Sequence, residues 1–330
     1  MQDRTDRNDA PDLTIIIVSF NTRDMTVACI QSIMEQTPSI RYEIIVVDNA
    51  STDGSAEAIR TKFSNIILIT PLENLGFARA NNLAATRARG RRLLLLNPDT
   101  IILDHAIDRL HEFALSNPKC RIWGGRTVFA DGSLNPQSCW RRMTLWSLIC
   151  NATGLNTLKG SSLFNFEGYG GWKRDTVRAV DIIPGCFLLI DKDLWEELHG
   201  FDPVFFMYGE EADLCLRASQ TGARPTVTPT ATIIHHGGAS ETNRAEQIIK
   251  LLAGKVTLMR RHWSVSAAFV GRLLYLAFPL TRLACYGTLG TLSGRANFQL
   301  KAHLWYQVWR SRHRWINGWS DAGANGVHEL

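Results

Sequence analysis

The chain lacks several features that would assign it to other classes. No two of its seven cysteines (Cys29, Cys120, Cys139, Cys150, Cys186, Cys215, Cys285) have the close spacing of a zinc knuckle or redox motif. An odd, scattered set reads as free, mostly buried thiols and points to a reducing compartment. The first residues, MQDRTDRNDAPD, are polar and charged, so no signal peptide is visible and residues 1–12 read as a frayed tail. No uncharged apolar run reaches the roughly 18 residues that a spanning helix needs. There is no recognisable nucleophile motif. Neither an aromatic-studded sheet motif nor a zinc site supports nucleic-acid binding. The net charge of +5 over 330 residues is mild but unevenly distributed, and the length allows a sizeable core in one or two domains.

What is present is alternation. The runs LTIIIVSF (13–20), YEIIVVD (42–48), NIILIT (65–70) and RLLLL (92–96) read as strands. Helical segments fall near 25–35, 55–63 and 76–89. This order predicts an α/β fold, with a mostly parallel central sheet covered by helices on both faces. Asp104 is placed to cap a helix running to about Ser116. From about residue 130 to 180 the pattern breaks down, which reads as a functional loop or insertion. Order returns with VDIIPGCFLLI, a helix capped by Asp191 and stopped by Gly200, and a final strand in TVTPTATIIHHGG.

The strands of the first half end in polar groups: Ser19-Phe20-Asn21, then DNASTDGS from Asp48, ENLGFARANN from Glu73, and NPDT from Asn97. In an open parallel sheet such carboxyl ends line one ligand-binding crevice. A single Asp-rich turn would be unremarkable, since Asp and Asn are common in turns. Four converging polar ends are harder to read that way. Asp48 can accept a hydrogen bond from a nucleobase ring N–H, while Asp53-Gly54 reads as the turn itself. Gly76 permits close backbone approach at a helix start, where negative charge is favoured. Asp99 is a candidate carboxylate ligand for a hard divalent cation. Glu210, Glu211 and Asp213 crowd a helix start, which the macrodipole alone would favour. Asp213 and Arg217 have the i, i+4 spacing of a helix pair.

The ordered set VSFN, VVDNASTDGS, NLGFARANN, LNPDT, GFDPVFFMYGEEADLCLR and HHGGAS resembles glycosyltransferase family 2 with the GT-A fold, in its bacterial rhamnosyltransferase-like branch. The likeness covers about residues 13–240. It implies an inverting transfer of a sugar from a nucleotide sugar to a hydroxyl of a lipid-linked or growing cell-surface glycan. L-Rhamnose from dTDP-rhamnose is the branch's common donor. In this reading Asp99 and His235 hold Mn²⁺ or Mg²⁺, with His236 as the competing ligand. Asn97 stands where the wider family has the first acid of Asp-x-Asp. Glu211 is the general base. Ser19, Asn21, Asp48, Asn49, Asn74, Gly76, Asn82, Asn97, Gly185, Glu210 and Asp213 are the substrate-binding candidates. A sugar-1-phosphate nucleotidyltransferase is the alternative enzyme, but SFNTRDMT lacks its Gly-rich basic loop. A catalytically inactive binding module is the other alternative.

Residues 241–330 fall outside the resemblance. AAFVGRLLYLAFPLTRLACYGTLGTL is apolar but interrupted by Arg272 and Arg282, with basic residues and tryptophans around it. This composition predicts amphipathic helices on an anionic membrane surface, and the resemblance implies that this is the inner face of a bacterial cell membrane, bound peripherally. A homodimer interface, or packing on the catalytic domain with snorkelling arginines, would cover the same surface.

Overall fold

The computed structural model describes residues 10–158, 160–237 and 243–320. Residues 1–9 of the expected tail and Gly238–Ser240 of HHGGAS lie outside these. Pro11 and Asp12 belong to the sheet edge: Asp12 N donates to Arg41 O at 2.8 Å and Arg91 N to Pro11 O at 3.2 Å.

The expected alternation is observed. β1 (Leu13–Ser19), α1 (Arg23–Gln36), β2 (Tyr42–Asp48), α2 (Ser55–Lys62), β3 (Ile67–Ile69), α3 (Gly76–Ala85) and β4 (Arg92–Leu96) follow in turn. After them come β5 (Thr100–Ile102), α4 (Ala106–Ser116), β6 (Ile122–Val128), α5 (Leu145–Thr153), β7 (Arg178–Ala179), β8 (Phe187–Asp191), α6 (Lys192–Glu197), α7 (Glu210–Gln220) and β9 (Thr226–His235). Three helices close the chain: α8 (Arg244–His262), α9 (Val265–Ser293) and α10 (Ala296–Arg310).

The chain divides into two compact units that interleave in sequence. The first comprises residues 1–140, 172–203 and 214–240; the second comprises 141–171, 204–213 and 241–330. Two internal segments therefore group with the C-terminal residues, beyond the expected boundary after residue 240.

The first unit holds one sheet of strand order β3-β2-β1-β4-β8-β6-β9-β5, with β7 paired to β9. It is mixed rather than mostly parallel. β1–β2, β1–β4, β2–β3 and β6–β9 are parallel. β4–β8, β5–β9, β6–β8 and β7–β9 are antiparallel. The parallel half explains the unbroken apolar runs: β1 is buried along its whole length, as a central strand covered on both faces must be. Ile15, Ile17, Val46, Leu94 and Leu96 pack with Cys29, Ile30 and Ile33 of α1, Ile59 of α2 and Leu110 of α4. Their neighbours of opposite parity, Ile16, Ile45 and Leu95, are equally buried, and α3 packs against β1 and β2.

Two expected caps are not formed. Asp191 ends β8, and its carboxylate accepts from Arg92 Nε at 3.0 Å instead of capping α6. Asp104 has φ 44°, and α4 starts two residues later with His105 at the N-cap. The ion pair with Arg92 competes successfully for the first carboxylate, and the left-handed turn takes the second out of capping position. The 130–180 stretch contains one capped helix: Thr144 Oγ1 accepts from Ser147 N at 3.1 Å to open α5.

In the second unit α5, α8, α9 and α10 pack together. Asn243 Oδ1 caps α8 by accepting from Ala245 N at 3.0 Å, and Gly294, at φ 64°, ends α9. Lys255 Nζ meets Glu167 Oε2 at 2.9 Å, tying residues 141–171 to α8. Burial opposes charge on both, but each partner overrides it, holding Glu167 below its usual range and Lys255 above. By length and composition α9, of 29 residues, is apolar enough to cross a membrane, despite Arg272 and Arg282.

Gly90 marks where backbone meets backbone. Its N–H donates to Thr14 Oγ1 at 2.9 Å, and a Cβ there would overlap the backbone of Leu13 and Thr14. Gly90→Ala is expected to cost about 1–3 kcal/mol, read as a lower urea midpoint. Gly287→Ala, on α9 with nothing within 4 Å of the added carbon, serves as the control and should not lower it.

Candidate active site

The carboxyl ends of β1 and β2 carry the first cluster. Ser19 and Asp48 are register partners across the two strands. Ser19 Oγ is buried and engaged with Thr22 and Thr26 at 3.1 and 2.9 Å, so it braces the turn into α1. Asp48 is 3% exposed, and its Oδ1 is buried without a hydrogen-bond partner. A buried carboxylate oxygen left unpaired is costly unless a ligand supplies the donor. Asn49 organises the next loop: its Nδ2 donates to Asn74 Oδ1 at 2.9 Å and Gly76 O at 3.2 Å, and its Oδ1 accepts from Leu75 N at 2.9 Å. Asn74 Oδ1 also accepts from Gly76 N at 2.9 Å. Gly76 opens α3 with φ 75°, a conformation that favours glycine. Asn21 is exposed at φ 52°, and its Oδ1 accepts from Thr52 N at 2.8 Å. Asp53 forms the expected turn, its Oδ1 accepting from Ser55 N at 3.0 Å.

Two candidates do structural work. Asn82 holds Phe201 by a pair of backbone bonds, 2.8 Å to its O and 3.0 Å from its N. Gly185 gives room to Phe77, whose ring would lie 2.9 Å from a Cβ placed there.

The second cluster lies at the ends of β4 and β9. Antiparallel β5 pairs Thr100 with His235, and His236 N donates to Asp99 O at 3.1 Å. This register brings His235 Nε2 to 3.4 Å from Asp99 Oδ1 and 3.3 Å from Asn97 Nδ2. Both Asp99 and His235 are 5% exposed, whereas the His236 side chain is exposed. Of the two histidines, His235 is thus the one the structure sets beside Asp99. Burial opposes the Asp99 charge, but the His235 ring holds its carboxyl below the usual range. Burial also opposes charge on His235, yet Cys186 and Asp99 together push its pKa up to about 10.

These residues fit a divalent cation in one respect that can be read directly. Asp99 offers carboxylate oxygen beside an imidazole, and His235 Nδ1 is buried with no hydrogen-bond partner. Among the described residues no group of three His, Cys, Asp or Glu side chains could hold a metal alone. Such a cation would therefore complete its shell with ligand oxygens, as hard cations bound with diphosphates commonly do.

The acids of α7 belong to the second unit as far as Asp213. Glu210 is buried and Glu211 half-buried, and Oε2 of each lacks a hydrogen-bond partner. Burial raises both carboxyls. The Glu211 charge pushes Glu210 further, well above the usual carboxylate range. Asp213 Oδ1 meets His262 Nε2, at the end of α8, at 2.8 Å. Met207 O accepts from Trp319 Nε1 at 3.2 Å. A side chain at Gly254 would overlap the backbone of Tyr208, so α8 lies directly against the loop entering α7. Arg217 donates to Leu198 O at 2.7 Å and Gly200 O at 2.9 Å.

Sequence reasoning missed Cys186 beside His235 and Asn135, whose Nδ2 donates to His235 O at 3.1 Å. It also missed His262. None lies near its partner in sequence, and none sits in a motif that would mark it.

The model of the family described as Glycosyl transferase family 2 matches residues 14–181, about half of the chain. RfbC of Myxococcus xanthus, an O-antigen biosynthesis protein, is 27% identical over 71% of this chain. The N-acetylglucosaminyl-diphospho-decaprenol L-rhamnosyltransferase of Mycobacterium tuberculosis is 26% identical over 58% of it. The rhamnosyltransferase WbbL of Escherichia coli is 29% identical over 70% of this chain and 85% of its own length. The chain spans only 18% of RfbC and 66% of the mycobacterial enzyme. Among solved structures, the mannosyltransferase PcManGT of Pyrobaculum calidifontis, in complex with GDP-Man and Mn²⁺, aligns over 93% of this chain and 88% of its own. Its TM-score is 0.57 at 17% identity, a likeness of fold alone. The mixed α/β sheet with polar strand ends is thus the GT-A fold, and with the family model matching half its length, this chain belongs to glycosyl transferase family 2.

Proposed function

We infer that the protein is an inverting, metal-dependent glycosyltransferase acting on a nucleotide sugar. Its best-supported donor is dTDP-L-rhamnose, and its acceptor a hydroxyl of a lipid-linked or growing surface glycan at the inner face of the cell membrane. The observation that carries the enzymatic reading is the Asn97–Asp99–His235 cluster on the same sheet as the buried Asp48, whose Oδ1 has no hydrogen-bond partner. Rhamnose rests on two relatives named as rhamnosyltransferases.

Each residue then has a stated task. Asp48 Oδ1 accepts the ring N–H of the donor base. The Asn49–Asn74 bond holds the loop that begins α3, whose N-terminus favours the negative diphosphate. Asp99 and His235 would hold Mn²⁺ or Mg²⁺, which when bound supplies positive charge to the leaving diphosphate. Glu211 accepts the acceptor hydroxyl proton as that oxygen bonds to the anomeric carbon and the nucleoside diphosphate leaves, inverting the configuration. Glu210 is raised further than Glu211, which leaves Glu211 as the member of the pair that ionises first. A positioned base is worth about 10²–10⁴ in rate, some 3–5 kcal/mol.

Asp99→Ala and His235→Ala should each abolish Mn²⁺-dependent turnover of dTDP-rhamnose while the chain still folds, with a lower urea midpoint because each leaves its buried partner uncompensated. Loss with His236→Ala but not with His235→Ala would move the ligand. Glu211→Gln should retain nucleotide affinity while transfer falls by about two to four orders of magnitude. Near-normal transfer by this variant, with Asp213→Asn inactive, would reassign the base. Because a base works deprotonated and Glu211 is raised, transfer should rise with pH along an acid limb centred above the ordinary carboxyl value of 4.5. A limb at or below that value in the pH–rate profile would refute the buried-pair account.

A further inference from the structure

We propose that the outer face of α9 and the basic cavity beside it form a docking surface for an anionic lipid bilayer, with a lipid phosphate seated at Arg310, Arg312 and His313. The apolar part is a stripe. Val265, Phe269, Leu273 and Leu280 are 90, 60, 50 and 39% exposed, and their spacing of four, four and seven residues keeps them on one side of the helix. The buried residues of α9, among them Ala268, Tyr275 and Pro279, fall on the other side. A solvent-facing apolar row of this length marks an interaction surface.

The arginines that interrupt the sequence do not break the stripe. Arg282 lies half-buried over the Phe278 ring at 3.9 Å, and Arg272 is turned onto Asn317 Oδ1 at 2.7 Å. Leu276, on the stripe side of the helix, also lines a cavity of about 440 Å³ together with Arg310, Arg312, His313 and Ile316. Apolar wall and cationic mouth therefore meet, as a phosphate-bearing amphiphile requires.

Charge selects the occupant. Between Gln247 and Ser320 there are eleven Lys and Arg residues and no Asp or Glu. A second copy of this surface would bring like charges together, whereas an anionic leaflet neutralises them. The two arginines in α9, Arg272 and Arg282, fit a helix lying in the interface better than one crossing the bilayer.

The test is flotation of the full chain with vesicles, without donor or acceptor, so that failure here leaves the donor-site reading untouched. The chain should float with vesicles containing phosphatidylglycerol, stay behind with phosphatidylcholine alone, and be released by high salt. Arg310→Glu with Arg312→Glu should weaken flotation at least about tenfold, with Mn²⁺-dependent donor hydrolysis unchanged. Phe269→Gln with Leu273→Gln, at exposed positions, should weaken it as well. Four results would overturn the proposal: equal binding to both vesicles, binding to neither, retention through alkaline carbonate as for a spanning helix, or a dimer in light scattering that the stripe variant dissociates.

Discussion

The antiparallel register of Thr100 with His235 is the constraint on which the chemical edge of the sheet rests. β5 is three residues long and begins directly after Asn97-Pro98-Asp99, so the chain reverses its pairing within a few residues of leaving the core. Pro98 cannot extend β4, and Thr100 Oγ1 closes the turn by donating to Asn97 O at 2.8 Å. The reversal carries Asp99 from a strand end to the side of a histidine more than a hundred residues later. Without that pairing Asp99 would be an ordinary turn aspartate.

The burial pattern of this edge separates ligand-seeking groups from bracing ones. Asp48 and His235 each present a buried atom with no partner; in the second unit, Glu210 and Glu211 do so as well. Ser19, Asn49 and Asn82 spend their polar atoms on neighbouring loops. Buried polar groups are nearly always satisfied in folded proteins, so an unsatisfied one at a polar strand end is a candidate for a ligand's donor or acceptor. Both kinds recur in the motifs, and only their bonding tells them apart.

The second unit joins segments that the chain order keeps apart. Loop 204–213 reaches Glu211 through left-handed turns at Tyr208 and Gly209, and Gly254, Trp319 and His262 fix it from the C-terminal side. The C-terminal helices are thus part of the scaffold that presents Glu211. Their exposed side is a separate matter, governed by the absence of acidic residues and the apolar stripe.

Much of this was legible without coordinates. Uninterrupted apolar runs closed by polar residues determined the four parallel strands, because a strand covered on both faces must be apolar throughout. The strand-end motifs marked the candidate residues at the polar ends of β1, β2 and β4. β5 and β6 stayed hidden because Thr100–Ile102 is too short to show a period and Ile122–Val128 is broken by Gly124-Gly125. Asp104 and Asp191 looked like caps, since local spacing cannot report a left-handed turn or an arginine a hundred residues away. Which histidine faces Asp99, which glutamate is raised further and which side of α9 meets solvent were decided only by tertiary structure. Each depends on burial and distance between residues remote in sequence, whereas periodicity records only which side chains share a face.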